Sequence, residues 1–410
     1  MRVVFALVIL ALAVTSQPAF SGELDELKAQ VQELRQEVKT LQKQAKDEGA
    51  APSVSQNDND SHSMSNMNHD FDSVLGVVEL PKLNIRGFLD AGWNLSQTGN
   101  AKTDSLFIGQ VDFLITSKLS EHASALVEFY FNNPPDNTAP INLPRALVQY
   151  SISNQFNLRI GLTHTMIGYW NHAYHHGNYL QTSYSRPEIW RYDRIYLPIH
   201  SMGVQAFGSK SVGEVDVDYT LGVYNGRGPT GGNQRVTDNN DSKAVGLVLS
   251  FRPHRAVEGL TVGGSAYGDK IPPNPLATPP AGVISRTGPM IERILGAHAI
   301  YRLRQLQIIG EAFHIYHDDM TTLRTYKTSA YYIQAEYAID RLTPYSRFDY
   351  VNFGNADPLY SPNVVDVSRY TIGLRWDFLP WNALKVEYSY ADNKDALDNQ
   401  TAIVNVSLTF

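Results

Sequence analysis

The sequence predicts an all-β transmembrane barrel of about 16 antiparallel strands, preceded by a short coiled-coil helix and a flexible tether. Three observations predict this fold. Apolar and polar residues alternate with period two in segments from about residue 82 onward. The connections between these segments are alternately short and long. Residues 401–410 form a strand that has one apolar face and ends at Phe410. A closed barrel pairs its final strand with its first, so an apolar strand is tolerated at that position.

Residues 1–21 have the pattern of a secretory signal peptide. Arg2 precedes an apolar run at residues 3–14, and the small residues Ala19 and Ser21 follow it. The run is shorter than the roughly 20 residues that a membrane-spanning helix needs, so we expect cleavage near Ser21. The alternative is a retained anchor helix. The sequence contains no cysteine, which excludes disulfides and cysteine-based metal or nucleophile sites.

Residues 22–46 are predicted to form a periplasmic coiled coil. Apolar residues recur there in alternating steps of three and four, with charged and amide residues between them. Valine at one seam position and leucine at the other favour dimers when such a coiled coil is isolated. Because the seam is short, we expect the oligomeric state of the coiled coil to follow that of the barrel. The alternative is an amphipathic helix on a membrane or on the barrel. The apolar positions are Leu24, Leu27, Val31, Leu34, Val38, Leu41 and Ala45.

Residues 47–80 are interpreted as a flexible linker because they are rich in Ser, Asn, Asp and Gly and lack periodicity. His62, Met64, Met67 and His69 lie in this segment. These side chains could bind a soft metal such as copper, but a polar linker that happens to contain them is the simpler interpretation.

The barrel is predicted to span residues 81–410. Because the linker enters from the periplasm, the first strand runs outward and the long connections are external. Long connections are expected at 97–104, 133–141, 166–199, 226–241, 270–290, 318–326, 353–367 and 393–399. Tyr and Trp cluster near strand ends, as in the aromatic girdles of membrane barrels. The net charge of −7 over 410 residues argues against nucleic acid as a partner.

The third long connection, residues 166–199, is unusually aromatic for a solvent-exposed loop. Aromatic side chains favour burial, so we expect the connection to fold into the lumen and form a constriction. The candidate residues at the constriction are Tyr169, Trp170, His172, His175, His176, Arg186, Arg191 and Arg194.

Three of these candidates, His172, His175 and His176, would share one face of a helical turn. They could hydrogen-bond the connection to the barrel wall, gate the pore when protonated, or bind Zn or Cu together with Asp193. The arginines at 186, 191 and 194 could contact anions, or they could pair with Glu188 and Asp193.

Charges on the predicted inward face indicate a wet lumen. They could form a ladder that selects permeating ions, or they could neutralise one another in pairs. The candidate lumen charges are Arg86, Asp90, Arg159, Arg347, Arg369, Arg375 and Lys385.

The stretch Arg159-Ile-Gly-Leu-Thr-His164, followed by Gly168-Tyr-Trp170, resembles the passage from strand to constriction in the phosphate-selective O and P porin family. The coiled coil resembles that of trimeric porins thought to admit dicarboxylates, and the final Phe resembles the insertion signal of bacterial outer-membrane barrels. The resemblance covers residues 82–410. It implies a homotrimer in the Gram-negative outer membrane, with the coiled coil in the periplasm and the third long connection as the constriction.

The function predicted on these grounds is passive diffusion of small hydrophilic solutes or ions through a water-filled channel. The expected partners are outer-membrane lipid, further copies of the chain and the solutes; no cofactor, catalytic residue or metal centre is expected. The alternatives are a structural barrel that links the envelope layers and an outer-membrane enzyme. The sequence has no Gly-x-Ser-x-Gly elbow to favour the enzyme.

Overall fold

The computed structural model describes residues 82–131, 140–175, 177–191, 196–232, 237–238, 240–275, 285–354, 357–360, 364–394 and 396–410. The predicted signal peptide, coiled coil and linker lie outside these residues, as do His176, Asp193 and Arg194. Among the described residues, no helix is both long and apolar enough to cross a membrane.

The described residues form a closed antiparallel barrel in which each strand pairs with its neighbours in sequence and β1 pairs with β16. The predicted fold class and strand number are confirmed. The strands are β1 Leu83–Thr98, β2 Ala101–Lys118, β3 Ala123–Phe131, β4 Ile141–Ser151, β5 Asn157–His164, β6 His200–Val212, β7 Val215–Tyr224, β8 Ala244–Pro253, β9 Leu260–Ile271, β10 Met290–Leu303, β11 Leu306–Asp319, β12 Arg324–Tyr337, β13 Leu342–Gly354, β14 Val367–Leu379, β15 Asn382–Asn393 and β16 Asn399–Thr409.

The barrel closes where β16 meets β1. Their register runs from Phe88 opposite Thr409 to Thr98 opposite Asn399. At one edge the Gly87 and Phe410 backbones exchange hydrogen bonds of 2.7 and 3.0 Å. A Cβ atom at Gly87 would lie 2.2 Å from the Phe410 ring, so this closure requires glycine.

Two predicted long connections are tight turns instead. β1 ends at Thr98 and β2 begins at Ala101, so the expected loop at 97–104 is mostly strand. Likewise β11 and β12 are joined by residues 320–323 alone. Polar residues such as Lys102 and Arg324 continue the hydrogen-bonded ladder, because a strand needs an apolar face only where it is buried or in lipid.

The two faces of the barrel differ in chemistry. On β11, Glu311, Phe313 and His317 alternate as buried inward residues, while the outward residues Ala312 and His314 are exposed. The outward face is apolar and carries aromatic neighbours, among them Tyr331 and Tyr350 with ring centroids 5.1 Å apart. Exposed apolar side chains on this face include Leu106, Ile160, Val204, Leu221, Ile333 and Ile372.

The connection between β5 and β6, residues 165–199 and hereafter the long connection, contains short helices: α1 at Trp170–Ala173 and 3-10 turns at Asn178–Leu180 and Glu188–Trp190. Its apolar side chains join inward residues of the strands in one buried cluster, which includes Met166, Trp190 and Phe313. The main apolar core therefore lies between the long connection and the inner wall of the barrel.

Candidate channel constriction

Glu311 on β11 organises the start of the long connection. Its buried carboxylate accepts hydrogen bonds from the Tyr169 backbone N–H, from the Trp170 N–H at 3.1 Å, from the Trp190 indole at 2.9 Å and from the Tyr332 hydroxyl at 2.7 Å. Four donors compensate for the removal of this carboxylate from water.

Gly168 makes the turn before these donors possible. Its φ of +61° lies in the left-handed region, and a Cβ there would lie 2.5 Å from the Glu311 Oε1. A side chain at this position would be strained by its backbone and would displace the carboxylate.

Arg347 and Asp349 on β13 hold the middle of the long connection. The Arg347 Nε lies 2.8 Å from Asp349, and its Nη1 donates to Ser183 Oγ at 3.1 Å and to Ser185 O at 2.8 Å. Asp349 in turn accepts a 2.9 Å hydrogen bond from the Glu188 N–H. Both charged side chains are thus satisfied by each other and by the connection.

Lys385 and Glu387 on β15 hold the neighbouring stretch. The fully buried Lys385 Nζ donates to Gln181 O at 2.6 Å and to Ser183 O at 3.2 Å, and Glu387 accepts from the Tyr184 N–H at 2.9 Å. Burial, assisted by the Asp90 and Glu387 charges, raises the pKa of Tyr184, which keeps this phenol neutral.

Most of the candidate lumen charges therefore contact the long connection. Arg375 donates to Tyr179 O at 2.7 Å, Asp90 accepts from Asn178 at 3.2 Å, and Arg369 lies 2.8 Å from Glu188. Arg347 and Lys385 also donate hydrogen bonds to the long connection, as described above. Arg86, in contrast, is exposed at the beginning of β1. Five of the seven candidate lumen charges, at positions 90, 347, 369, 375 and 385, therefore have a partner in the long connection.

The candidate constriction residues divide into buried and accessible groups. Trp170 is buried against Tyr332, with ring centroids 5.7 Å apart, and the Tyr169 hydroxyl accepts a 2.6 Å hydrogen bond from Arg302. Arg191 lies 3.2 Å from Glu188 and remains partly exposed.

His172 and His175 do not share one helical face, because α1 ends at Ala173. His172 is exposed, whereas His175 is buried. The His175 ring lies beside His164 at the end of β5 and His200 at the start of β6, with centroid distances of 4.3 Å to each. Sequence reasoning did not select His164 and His200, although they flank the long connection.

The wall formed by β2 to β5 has an open side. A cavity of about 250 Å³ is lined there by Arg145, Gln149 and Arg159 of the strands and by His172 of the long connection. Arg159 donates to the Gln149 amide oxygen at 3.0 Å. Arg145 was not among the predicted sites, although it occupies the same inward alternation on β4 as Gln149.

Opposite charges face one another across this region. Arg145 lies 2.8 Å from Glu128 on β3, and Arg186 of the long connection lies within electrostatic range of Asp112 on β2. The Arg186 guanidinium also donates to the His175 carbonyl at 3.1 Å. Glu128, Arg145 and Arg186 therefore all lie within electrostatic range of Asp112.

Arg227, in the connection after β7, holds the far end of the long connection. It donates to the Tyr196 carbonyl at 2.9 Å and lies 2.9 Å from Glu292, which also contacts His317 at 3.0 Å. Burial lowers the pKa of Arg227, but the Glu292 carboxylate together with Tyr360 and Tyr267 raises it by more, so the guanidinium stays charged.

Comparison with known proteins returns structural likeness only. No protein-family model matches the chain, and no curated protein sequence matches it. Among solved structures, the trimer form of OmpT, an outer membrane protein of Vibrio cholerae, has a TM-score of 0.54 and 13% identity over 81% of this chain and 100% of that chain.

The outer membrane channel DcaP of Acinetobacter baumannii has a TM-score of 0.52 and 10% identity over 80% of this chain and 97% of its own. The chain therefore shares the closed-barrel fold of these outer-membrane proteins. OmpF of Salmonella typhi, solved in complex with daunomycin, has a TM-score of 0.51 and 13% identity over 80% and 98% of the two chains. At these identities the likeness concerns the fold alone.

Proposed function

We propose that the protein is a porin of the Gram-negative outer membrane that admits small hydrophilic solutes or ions by passive diffusion. The observation that carries the proposal is the closed 16-strand barrel with an apolar outer face and a polar, charged inner face. Every strand backbone group is paired in such a barrel, so the wall can sit in lipid while the lumen stays wet.

The long connection forms the constriction in this proposal. It contacts the inner side of β11 to β15 and leaves the cavity beside β2 to β5, so solutes pass between His172 and Arg186 on one side and Arg145 and Arg159 on the other. These polar groups replace part of the hydration of a passing solute. The mixed charges of Asp112, Glu128 and the arginines act on charged solutes and set the selectivity.

In the same proposal, the protein forms a homotrimer that is surrounded by outer-membrane lipid. The exposed apolar side chains supply a surface for lipid and for neighbouring copies. Single-channel steps in threes and a trimeric mass in mild detergent are the expected results. Single steps from a monomeric particle would contradict the trimer.

The predicted coiled coil favours a second role, in which residues 22–46 link the barrel to another envelope layer. The two roles are separable because the coiled coil precedes the barrel in sequence. Deleting residues 22–75 and recording conductance in planar bilayers separates them. Unchanged channels would assign transport to the barrel alone, and loss of channels would contradict that assignment.

The central test shortens the long connection. Replacing residues 168–191 with a short Gly-Ser linker should raise single-channel conductance by about two- to threefold, because the narrowest part of the path is removed. The matched control deletes residues 255–258 from the turn between β8 and β9, far from the constriction in the proposed path, and should leave conductance unchanged. Equal conductance in both variants would contradict the proposed constriction.

A further inference from the structure

His164, His175 and His200 form a buried cluster that the channel function does not use. His164 and His200 are direct partners in the pairing of β5 with β6, so the barrel itself fixes their separation. His175 comes from the long connection and packs against both. The three residues are exposed to only 3%, 4% and 4% respectively.

The geometry of the cluster is that of a metal site with three histidine ligands. The ring centroids lie 4.3, 4.3 and 5.4 Å apart, and one nitrogen from each ring lies within 4.8 Å of the other two. Tetrahedral Zn²⁺ with bonds of about 2.0 to 2.1 Å places its ligand nitrogens about 3.4 Å apart. Binding of the ion would therefore require the three ligand nitrogens to lie closer than the 4.8 Å limit that the structure shows.

A hydrogen bond from outside the cluster orients the His175 ring. The His175 Nδ1–H donates to the Asn171 side-chain oxygen at 3.0 Å, and the Asn171 amide donates to Ile199 O at 3.2 Å. This arrangement leaves the Nε2 of His175 as its ligand atom. Metal-binding histidines commonly have such a partner on the second nitrogen, because it fixes the tautomer and the ring orientation.

We propose that His164, His175 and His200 bind one divalent transition-metal ion of the zinc or copper class. Neutral imidazole favours Zn²⁺, Cu²⁺ or Ni²⁺, whereas Mg²⁺ and Ca²⁺ require oxygen ligands. His164 also lines the cavity of about 250 Å³, so a fourth ligand would reach the ion from that side. Water from the lumen or the exposed His172, whose ring centroid lies 6.0 Å from that of His164, completes the coordination.

The charges around the cluster are compatible with a cation. In the adjoining cavity, Arg145 is balanced by Glu128 at 2.8 Å, and the Arg159 guanidinium is engaged by Gln149 and Gln205 at 3.0 and 3.2 Å. These arginines oppose the added charge, so the affinity rests on the three nitrogen ligands. The proposal holds whether or not the barrel transports solutes.

The bound ion would fix the position of the long connection. Two ligands lie where the connection leaves and re-enters the barrel wall, and the third lies eleven residues along it, at His175. The metal therefore ties this part of the connection to both of its ends. This restraint is additional to the contacts made by Glu311 and Arg347.

Metal content of the full-length protein, folded in detergent, tests the proposal. After EDTA treatment and equilibrium dialysis against Zn²⁺, elemental analysis should give about one high-affinity Zn²⁺ per chain, with Mg²⁺ failing to compete. His175→Gln and His164→Gln should each weaken binding by about 100-fold or more, because one of three ligands is lost. Circular dichroism and trypsin resistance establish that each variant is folded.

Two comparison variants make the result specific. His298→Gln replaces a buried strand histidine that lies 3.0 Å from Ser250 Oγ and should leave the zinc content unchanged. His62→Ala with His69→Ala removes the histidines of the linker and should also leave one ion bound. Zinc that persists in folded His175→Gln protein, or that disappears with the linker histidines, would overturn the proposal.

Discussion

The two sides of the barrel interior use similar charged residues in different ways. On β11 to β15, the anchoring wall, Arg347, Arg375 and Lys385 donate to backbone carbonyls of the long connection. On β2 to β5, the open wall, Arg145 and Arg159 line a cavity. An inward basic residue therefore either fixes the long connection or borders open space, according to what covers it.

This difference bears on how charge is distributed in the proposed channel. The cations of the anchoring wall are neutralised by neighbouring carboxylates and by the long connection, so their effect on a passing ion is reduced. On the open wall Arg145 is also paired with a carboxylate, Glu128 at 2.8 Å, but Arg159 donates to the neutral amide oxygens of Gln149 and Gln205 and keeps its charge beside the cavity. Substitutions on the anchoring wall should make the long connection more mobile, whereas substitutions on the open wall should change ion selectivity.

The largest effect is expected from Arg347→Met. The substitution leaves Asp349 buried without its guanidinium partner at 2.8 Å and removes the hydrogen bonds to Ser183 and Ser185. Removing one partner of a buried ion pair lowers stability by about 3 to 5 kcal/mol. The long connection should therefore detach from the wall and be cleaved faster by protease. Open-channel current noise should rise in parallel.

The matched control for this variant is Arg293→Met. Arg293 also pairs with an aspartate, Asp318 at 2.6 Å, but its side chain is 57% exposed. An exposed pair contributes about 0 to 1 kcal/mol, so protease sensitivity and current noise should stay near those of the unmodified protein. Equal responses to the two substitutions would remove the basis for an anchoring wall.

An intermediate effect should come from comparing Arg159→Gln with Arg375→Gln. Loss of the Arg159 charge from the open wall should move the reversal potential in a salt gradient toward cation preference. Arg375, which lies 2.7 Å from Asp377 and donates to the long connection, should change selectivity less and current noise more. A larger shift in reversal potential for Arg375→Gln would reverse the assignment of the two walls.

The smallest effect is expected from Arg191→Ala. Arg191 is partly exposed and lies 3.2 Å from Glu188, whose carboxylate is also held by Arg369 at 2.8 Å. Because Arg369 remains, the substitution should cost less than about 0.5 kcal/mol and change conductance by less than a quarter. A large fall in conductance or selectivity would instead identify Arg191 as a solute contact.

The barrel was predictable because its periodicity is local. Each strand shows its two faces in its own residues, and the final strand with Phe410 predicted the closure that the β1–β16 pairing confirms. The ends of strands were less predictable, since Gln97 and Lys102 pair across the β1–β2 hairpin without an apolar face to reveal them.

The arrangement of the interior was harder to predict because it depends on tertiary contacts. The histidine spacing predicted a shared helical face for His172 and His175, but the helix ends before His175. The neighbours of His175 are His164 and His200, which are brought together by strand pairing. Likewise, the inward position of Lys385 follows from its alternation, whereas its contact with Gln181 depends on the path of the long connection.

Glu311 has a consequence for the motion of the long connection. It receives hydrogen bonds near both ends of the connection, from Trp170 and from Trp190. The segment between them is therefore a closed loop of about 20 residues with a lower conformational entropy than a segment hinged only at β5 and β6. In the proposed channel, a change in pore width would then require rearrangement within residues 171–189, because a rigid swing of the whole connection would first have to break the contacts at Glu311.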